Sequence, residues 1–456
     1  MKTVERIKRY IDPSYMLGIL ISWLVLSNVI YAYPLMDTIS FIIGIVSFFV
    51  AVIHIRSVRL NADAIILFFI FVFITISTLI NASSGLYQNI TMILFMFNFV
   101  VLSMEVAKWD RLNRFFDIYA WCITLFSLIS IITFAFRIEI LFNGTYFGYH
   151  WDVLYGVYLN PNTGSMIAFF ALAFLWKRFK QNSDKVSLIF MIVNFLYLIF
   201  ADSRGTYIAM VAFFVAYLFF GNIQKKRYIK SMLNIAVGAA LAIMLILMPP
   251  MKIIDLAFHQ TAYVPGDQQN VTSNEQNQNV TQKGESQDTE NDMDENKESN
   301  DEFQNIDNLS SSRLTLWKAG VEVAKEHLFF GVSKSNQLTA LREFLDPSSK
   351  TYNIYAGGVH NGYLDLLVSN GIFAFLLLML LFIRRMFRFV DQLRKSNVSS
   401  NYLFYFSLFL SVLVNNLVET SFFNAIFITC LIFWVTVSNL LSEEQTDQRI
   451  QTKPDK

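Results

Sequence analysis

The chain is arranged around the stretch Val359-His360-Asn361-Gly362-Tyr363-Leu364-Asp365-Leu366-Leu367, where a long polar segment gives way to an apolar one. The polar segment covers residues 249–360 and separates nine hydrophobic runs before it from three after it. A chain that folds mainly in lipid and keeps one large polar insertion is expected to hold its functional groups where the insertion meets the bilayer. His360 stands at that point.

The composition indicates a polytopic membrane protein. Of 456 residues, 54% are hydrophobic and 16% aromatic, and the mean hydropathy of +0.44 is too high for an ordinary soluble protein of this size. Cys122 and Cys430 lie far apart in apolar runs, which excludes a disulfide framework and a cysteine-based metal site. No cleavable signal peptide is expected, because the run after the basic residues 1–9 is long enough to span and lacks a cleavage site.

Twelve runs free of Asp, Glu, Lys and Arg predict an all-α protein of about twelve transmembrane helices. Several runs are shorter than the ~20 residues that crossing ~30 Å of hydrocarbon needs, so polar flanking residues must complete those spans or the helices are re-entrant. The runs are 14–33, 38–55, 64–80, 90–104, 118–136, 164–176, 186–201, 206–220, 231–248, 366–383, 402–418 and 421–440.

The distribution of basic residues predicts the orientation. With both termini in the cytoplasm, 25 of the 36 Lys and Arg residues fall on the cytoplasmic side. Nine of the others lie in the long polar segment, which the positive-inside rule weights little, so only Arg137 and Arg204 occupy short external loops. The predicted divisions are a membrane domain 1–248, an extracytoplasmic loop 249–360, a membrane domain 361–440 and a cytoplasmic tail 441–456.

The external loops differ in character. Residues 261–308 hold twelve acidic residues against two lysines and are too polar to form a core, so this part is expected to be disordered. Residues 310–360 are expected to be partly helical, with an amphipathic helix over 311–324 on or near the outer membrane face. The aromatic and amide side chains of 137–163 suit carbohydrate contact or, equally, a position at the membrane interface.

Three external residues are candidates for chemistry. Arg204 lies in a very short turn between apolar runs, where holding a guanidinium is costly; the alternative is a salt bridge to Asp202 or contact with lipid phosphate. Arg313 stands in the first turn of the amphipathic helix, where it could also be an ordinary solvated residue. His360, beside Asn361, could accept a proton near neutral pH or merely cap a helix.

Several function classes lack their signatures. No charged residue stands in the middle of any of the twelve runs, and ion-coupled transporters usually need one, so a secondary transporter is the weaker interpretation. A phosphate-binding glycine-rich loop, a His-Glu-x-x-His motif and an Asp-x-Asp pair in the ordered external part are all missing. Nucleotide hydrolysis and metal-dependent transfer from a sugar nucleotide are therefore not supported.

Four short motifs together resemble the O-antigen ligase and O-antigen/capsular polysaccharide polymerase superfamily. The resemblance covers most of the chain from about 150 to 380, with all four motifs in the expected order and on the external side. They are Asn160-Pro161-Asn162, Ser203-Arg204-Gly205, Arg313 to Trp317 followed by Gly331, and His360-Asn361-Gly362-Tyr363 through Gly371.

The resemblance implies a metal-independent, inverting membrane glycosyltransferase without a cofactor, located in the bacterial cytoplasmic membrane. Its substrate would be an oligosaccharide repeat unit on undecaprenyl pyrophosphate, presented at the outer face. Carried over to this sequence, Arg204 and Arg313 would grip the pyrophosphate, and His360 would activate or orient the acceptor hydroxyl. The residues expected to bind substrate are Asn160, Asn162, Ser203, Trp317, Asn361 and Tyr363.

Polymerase and ligase are close alternatives. The ligase pattern is nearly met by His360, Asn361 and Gly371, but Ala374 stands where it has Gly, Thr or Tyr. That departure slightly weakens the ligase interpretation, and no feature ties the chain to lipopolysaccharide core. We favour a polymerase of capsular polysaccharide, exopolysaccharide or O-antigen, with ligase-type transfer as the alternative and a flippase of the same lipid-linked substrate as a weaker one. The expected partners are the lipid bilayer and the flippase and chain-length regulator of the same pathway. Binding to nucleic acid is not expected.

Overall fold

The computed structural model describes residues 13–29, 35–55, 62–82, 85–106, 111–142, 145–150, 153–247, 313–347, 352, 358–395, 398–421 and 427–451. The segment 261–308, predicted to be disordered, lies outside the described residues, so that prediction is not tested. The domain boundaries at 248 and 360 likewise stay predictions.

In the described residues before the polar segment, nine helices form because long apolar runs alternate with short polar breaks. They are α1 (Pro13–Val29), α2 (Leu35–His54), α3 (Ala62–Ile80), α4 (Leu86–Val106), α5 (Arg111–Ala135), α6 (Pro161–Asn182), α7 (Lys185–Phe200), α8 (Arg204–Gln224) and α9 (Tyr228–Leu247). Each predicted run up to residue 248 coincides with one of them.

After the polar segment begins, five helices are described. They are α10 (Arg313–Glu326), α11 (Gln337–Arg342), α12 (Gly362–Arg394), α13 (Ser400–Asn415) and α14 (Ile428–Gln451). Each of the last three overlaps one of the three predicted runs, although α14 begins at Ile428 where the run begins at 421. Six of the described helices, α3, α4, α5, α8, α9 and α12, are long and apolar enough to cross a membrane. The chain is thus a polytopic membrane protein, and the full count of twelve spans stays a prediction.

A small antiparallel sheet lies between α5 and α6, where the sequence analysis expected only helices and loops. Its strands are β1 (Glu139–Phe142), β2 (Thr145–His150) and β3 (Val153–Gly156), in the order β1-β2-β3. The connection between β1 and β2 is Asn143-Gly144, the dipeptide that most strongly favours a tight hairpin. The sheet leads directly into the first external motif at Asn160.

Helix α12 is broken at Gly371, whose backbone is left-handed (φ 78°, ψ −179°). The break frees backbone groups that a strap formed by residues 328–333 satisfies. Val332 N–H donates to Val368 O (2.9 Å), Ser333 N–H donates to Ser369 O (2.9 Å), and Ile372 N–H donates to Leu328 O (2.8 Å). A break inside an apolar helix is tolerable because protein, not lipid, supplies the missing hydrogen bonds.

The amphipathic helix predicted over 311–324 is present as α10. Its apolar side, formed by residues such as Leu316, Val323 and Ala324, is buried in a small cluster with α11 and the first part of α12. The prediction that this helix lies on or near the outer membrane face stays a prediction. In the structure the stripe packs on protein.

The helices that begin at the external motifs belong to one bundle. Helix α13 packs against α8, α6 packs against α5 and α7, and α10 packs against α12. Buried aromatic side chains such as Phe169, Phe213 and Phe404 fill the interior between α6, α8 and α13. This packing brings the starts of α6, α8, α10 and α12 toward the turn that follows α13.

Candidate functional site

Four helix N-termini surround one acidic residue, Glu419, in the turn after α13. From the start of α6, Asn162 Nδ2 donates to Glu419 Oε1 (3.2 Å), and from the start of α10, Arg313 Nη2 donates to the same oxygen (2.7 Å). At the start of α12, the Gly362 N–H donates to the Glu419 main-chain oxygen (3.0 Å). At the start of α8, a Cβ added to Gly205 would lie 3.7 Å from Glu419 Cγ.

The turn that carries Glu419 is held in place by amide side chains. Asn416 Nδ2 donates to Ser421 Oγ (2.8 Å), and the Ser421 N–H donates to Asn416 Oδ1 (2.8 Å). Asn415 Nδ2 also lies 3.2 Å from Ser421 Oγ. The Gly362 N–H donates to Asn416 O (2.8 Å) as well, which ties the turn to the start of α12. The position of Glu419 is thus fixed by contacts that do not involve its carboxylate.

The Glu419 carboxylate connects two proposed functional residues, Arg313 and His360, of the long polar segment. One oxygen, Oε1, accepts from Arg313, and the other, Oε2, lies 3.0 Å from His360 Nδ1. The side chains of Arg313 and Glu419 are each 19% exposed and that of His360 is 27% exposed. The three groups are therefore partly withdrawn from water, where charge-assisted hydrogen bonds are stronger than at the surface.

The backbone around His360 adopts conformations that few residues accept. His360 itself has φ 45° and Gly358 has φ 87°. Directly after them Asn361 is the N-cap of α12, with its Oδ1 accepting from the N–H groups of Tyr363 (3.1 Å) and Leu364 (3.0 Å). A non-glycine residue in the left-handed region costs about 1–3 kcal/mol and persists where the surroundings enforce it. Here the enforced conformation directs the imidazole to Glu419.

A buried ion pair supports the segment before His360. Lys334 Nζ contacts the carboxylate of Asp365, which is 1% exposed, and also donates to Gln337 Oε1 (2.9 Å). A Cβ added at Gly358 would approach all three side chains. The strap and the first turns of α12 therefore form one wall against which the His360 segment rests.

Arg204 is the first residue of α8 and is half-buried. It directly precedes Gly205, the residue that packs against the Glu419 turn, so Arg204 stands beside the cluster. The hydroxyl of its neighbour Ser203 is buried and lies 3.0 Å from the Thr206 hydroxyl. Ser203 thus shapes the start of α8, and its hydroxyl faces into the helix turn.

The start of α6 is set by local sequence. The Asn160 side chain caps the helix by accepting from the Asn162 N–H (2.8 Å), and Pro161 takes the first helical position. Tyr158, just before the cap, is buried beside Tyr197 with ring centroids 5.3 Å apart. Burial raises the pKa of the Tyr158 phenol above its ordinary value of 10.0, so this anchor stays neutral.

The other proposed substrate-binding residues have structural contacts. Asn361 Nδ2 donates to Leu417 O (3.1 Å) in addition to capping α12, and Tyr363 Oη donates to Leu413 O (2.9 Å) on α13. Trp317 lies one turn after Arg313 on α10, and its Nε1 is enclosed without a hydrogen-bond partner among the described residues.

Glu419 is the residue that the sequence analysis missed. It is the only charged residue between the apolar runs 402–418 and 421–440, and an acid in so short an external turn is a signal for function by the same reasoning that singled out Arg204. Its pairing with residues 106 and 59 positions away is visible only in three dimensions.

The arrangement combines an anion-binding region with an acid–base pair. Helix N-termini carry partial positive charge, and four of them meet here together with Arg313 and the adjacent Arg204. A carboxylate accepting from imidazole Nδ1 fixes the ring and leaves the lone pair on Nε2. Within the described part of the chain, no three His, Cys, Asp or Glu side chains meet in a way that could hold a metal ion.

Comparison with known proteins supports one family. Residues 186–379 match the family model described as O-antigen ligase, a stretch that contains Arg204, Arg313, His360 and the broken helix α12. No curated protein matches the chain. This family performs glycan transfer of the ligase and polymerase type and acts on lipid-linked glycans. Residues 186–379, which carry the starts of α8, α10 and α12 at the Glu419 site, thus resemble the O-antigen ligase and polymerase superfamily.

Proposed function

We propose that the protein is a polysaccharide polymerase that joins undecaprenyl-pyrophosphate-linked oligosaccharide repeat units at the outer face of the bacterial cytoplasmic membrane. The observation that carries this proposal is the Glu419 carboxylate, which bridges Arg313 (2.7 Å) and His360 (3.0 Å) where four helices begin. One half of this arrangement suits a pyrophosphate and the other suits a hydroxyl that must lose a proton.

The donor pyrophosphate would lie against Arg313 and Arg204. Guanidinium groups bind phosphate oxygens with paired, charge-assisted hydrogen bonds. As the bond between the anomeric carbon and the pyrophosphate oxygen breaks, negative charge grows on that oxygen. The two guanidiniums and the helix N-termini stabilise this charge, so lipid pyrophosphate leaves without a metal ion in the proposed mechanism.

His360 would act on the acceptor sugar. With Nδ1–H donating to Glu419 Oε2, Nε2 accepts the proton of the acceptor hydroxyl as its oxygen bonds to the anomeric carbon. Attack from the face opposite the leaving pyrophosphate inverts the anomeric configuration. Glu419 holds the imidazole and stabilises the imidazolium that forms, while the proton stays on His360.

The preference for polymerase over ligase rests on the sequence. Gly371, part of the ligase-like pattern, forms the break in α12, but Ala374, which departs from that pattern, is a buried residue of the following helical segment. The Glu419 site itself suits either acceptor, because both reactions use a hydroxyl nucleophile and a lipid-pyrophosphate donor. The nature of the acceptor therefore separates the two activities.

The decisive experiment is reconstitution with purified components. The purified full chain in detergent is mixed with purified lipid-linked repeat unit in the presence of EDTA, and products are separated by size. A ladder of products is expected. A ligase would give no ladder from this single substrate and would need a separate acceptor, and a flippase would leave the substrate unchanged in length.

His360→Ala is the matched active-site test, with His327→Ala as its control on the α10 end, away from Glu419. The His360 variant should lose most of the ladder-forming rate, since a positioned general base contributes about 10²–10⁴-fold. The control should polymerise normally. Undiminished polymerisation by His360→Ala at equal protein level would reduce His360 to a structural role.

A further inference from the structure

A second charged cluster lies at the far end of α12 from the candidate site. Arg384 Nε donates to Asp63 Oδ1 (2.9 Å), and Arg388 Nη1 lies 3.2 Å from Asp63 Oδ2. Arg385 contacts the same carboxylate. Asp63 is fully buried and Arg385 is 1% exposed, whereas Arg384 and Arg388 are 33% and 37% exposed. The cluster therefore has a buried pair and two arginines that reach the surface.

The charges of these four residues do not balance. Three guanidiniums share the Asp63 carboxylate, so these four residues together carry a formal charge of +2. Arginines held at the edge of a membrane bundle favour a phosphate group, which their planar guanidiniums bind in pairs of hydrogen bonds.

An apolar groove begins beside this cluster. It has a volume of about 680 Å³ and runs between α2, α3 and α4. Ala64, the neighbour of Asp63, lines its charged end together with Ile55 and Met104, and Ile76 lines the other end. From Ala64 to Ile76 the groove follows α3 for about 18 Å, close to the ~15 Å that one leaflet of a ~30 Å hydrocarbon core provides.

The cluster and the candidate site lie at opposite ends of paired helices. Helices α3 and α12 pack along their length, with Asp63 against Arg384 at one end and Ser77 donating to Ser369 O (2.8 Å) at the other. From Asp63 to Ser77 the unbroken helix α3 rises about 21 Å, and the start of α12 at the Glu419 site lies beyond Ser369, so the two sites are separated by most of a ~30 Å hydrocarbon core. The groove therefore opens to the leaflet opposite the Glu419 site.

We propose that Arg384, Arg388 and the α2–α3–α4 groove form a binding site for an anionic glycerophospholipid of that leaflet. The lipid phosphate binds the two partly exposed guanidiniums, and one acyl chain fills the groove. Positive charge beside a chain-length apolar groove matches a ligand with one anionic head and a long apolar tail. The site is independent of the proposed glycan transfer, because none of its residues lies near Glu419.

The test is native mass spectrometry of the delipidated full chain in detergent, titrated with phosphatidylglycerol or phosphatidylcholine of the same acyl chains. Wild type should retain phosphatidylglycerol preferentially. Arg384→Gln with Arg388→Gln should weaken its binding about 30-fold, since each basic side chain near an anionic head contributes about a factor of five. The control, Arg394→Gln with Lys395→Gln, removes the same charge further along α12 and should bind as wild type does.

A separate variant tests the groove. Val72, half-buried on α3, lines it, so Val72→Trp should block the acyl chain and lower retention, whereas Phe69→Trp on the lipid-exposed side of α3 should not. Three results would each overturn the proposal. They are equal retention of the two lipids by wild type, binding of phosphatidylglycerol by the double glutamine variant as wild type binds it, and stronger retention by wild type of a polyprenyl pyrophosphate than of phosphatidylglycerol. If the double variant does not fold, the Val72→Trp result decides.

Discussion

Replacing Glu419 with glutamine is expected to slow glycan transfer about 10²–10⁴-fold, the range that a positioned general base contributes. In wild type, Oε1 accepts from Arg313 Nη2 (2.7 Å) and Asn162 Nδ2 (3.2 Å), and Oε2 accepts from His360 Nδ1 (3.0 Å). A glutamine must keep its oxygen toward Arg313, because the guanidinium only donates. Its amide N–H₂ then faces His360 Nδ1.

Two donors cannot share that contact, so the imidazole proton moves to Nε2 and the ring loses the lone pair that accepts the hydroxyl proton. The expected loss corresponds to about 3–5 kcal/mol of activation free energy at ~1.36 kcal/mol per factor of ten. The fold should survive, because Gly362 bonds to the main-chain oxygen of Glu419, which the substitution leaves in place.

The assay measures the initial rate of ladder formation at saturating lipid-linked donor, beside thermal unfolding of each variant in the same detergent. The matched control is Glu322→Gln, which makes the same chemical change at an exposed residue of α10 whose carboxylate pairs with Lys325 (2.7 Å). Glu419→Asp should retain more activity than the glutamine variant because it keeps the charge and both acceptors. A wild-type rate in Glu419→Gln would refute the acid–base role of the pair.

Three further outcomes are expected. Arg204→Ala or Arg313→Ala should abolish polymer while expression and lipid-linked repeat units stay intact; normal polymer length in either variant would remove its assigned role. Gly371→Ala should lower the free energy of unfolding by at least about 1–3 kcal/mol, because alanine is strained in this left-handed backbone and its Cβ would also collide with Phe329 O. The control is Gly221→Ala, whose Cβ would meet only Leu403 Cδ2 at 3.5 Å and which should unfold at the wild-type temperature. Deleting 261–308 should leave ladder formation intact, and complete loss of activity in a stably folded deletion would show that the segment is functional.

The helices could be predicted from sequence and two features of the fold could not. Long apolar runs separated by charged breaks specify helices directly, and every predicted run coincides with one. The sheet formed by β1, β2 and β3 was not predicted, because the loop 137–163 was interpreted from its aromatic and amide side chains. The dipeptide Asn143-Gly144, which favours a hairpin, was not considered. The break at Gly371 depends on the strap 328–333, about forty residues earlier, and a lone glycine in an apolar run does not reveal such a partner.

The candidate site was predictable in its basic residues and not in its acid. Arg204, Arg313 and His360 each stood out alone, since each is polar beside the bilayer. Glu419 completes the cluster through contacts over 106 residues to Arg313 and 59 to His360, and periodicity and spacing carry no information at such distances. Several predicted binding residues, Asn361 among them, also set the geometry of helix starts.

If the donor pyrophosphate binds Arg313 as proposed, substrate binding is an exchange of anions at that guanidinium. In the structure, the Glu419 carboxylate accepts the Arg313 hydrogen bond that a pyrophosphate would need. Removing the negative charge of this competitor should strengthen pyrophosphate binding even as it slows the reaction. A partly exposed ion pair contributes up to about 1 kcal/mol, so Glu419→Gln should bind undecaprenyl pyrophosphate up to about fivefold more tightly.

Surface plasmon resonance of the detergent-solubilised variants measures this affinity, with Glu322→Gln as the control. Competition predicts that Glu419→Gln reacts more slowly and binds the pyrophosphate more tightly. Weaker binding by Glu419→Gln than by wild type would instead mean that Glu419 orients Arg313 for the phosphate and does not compete with it.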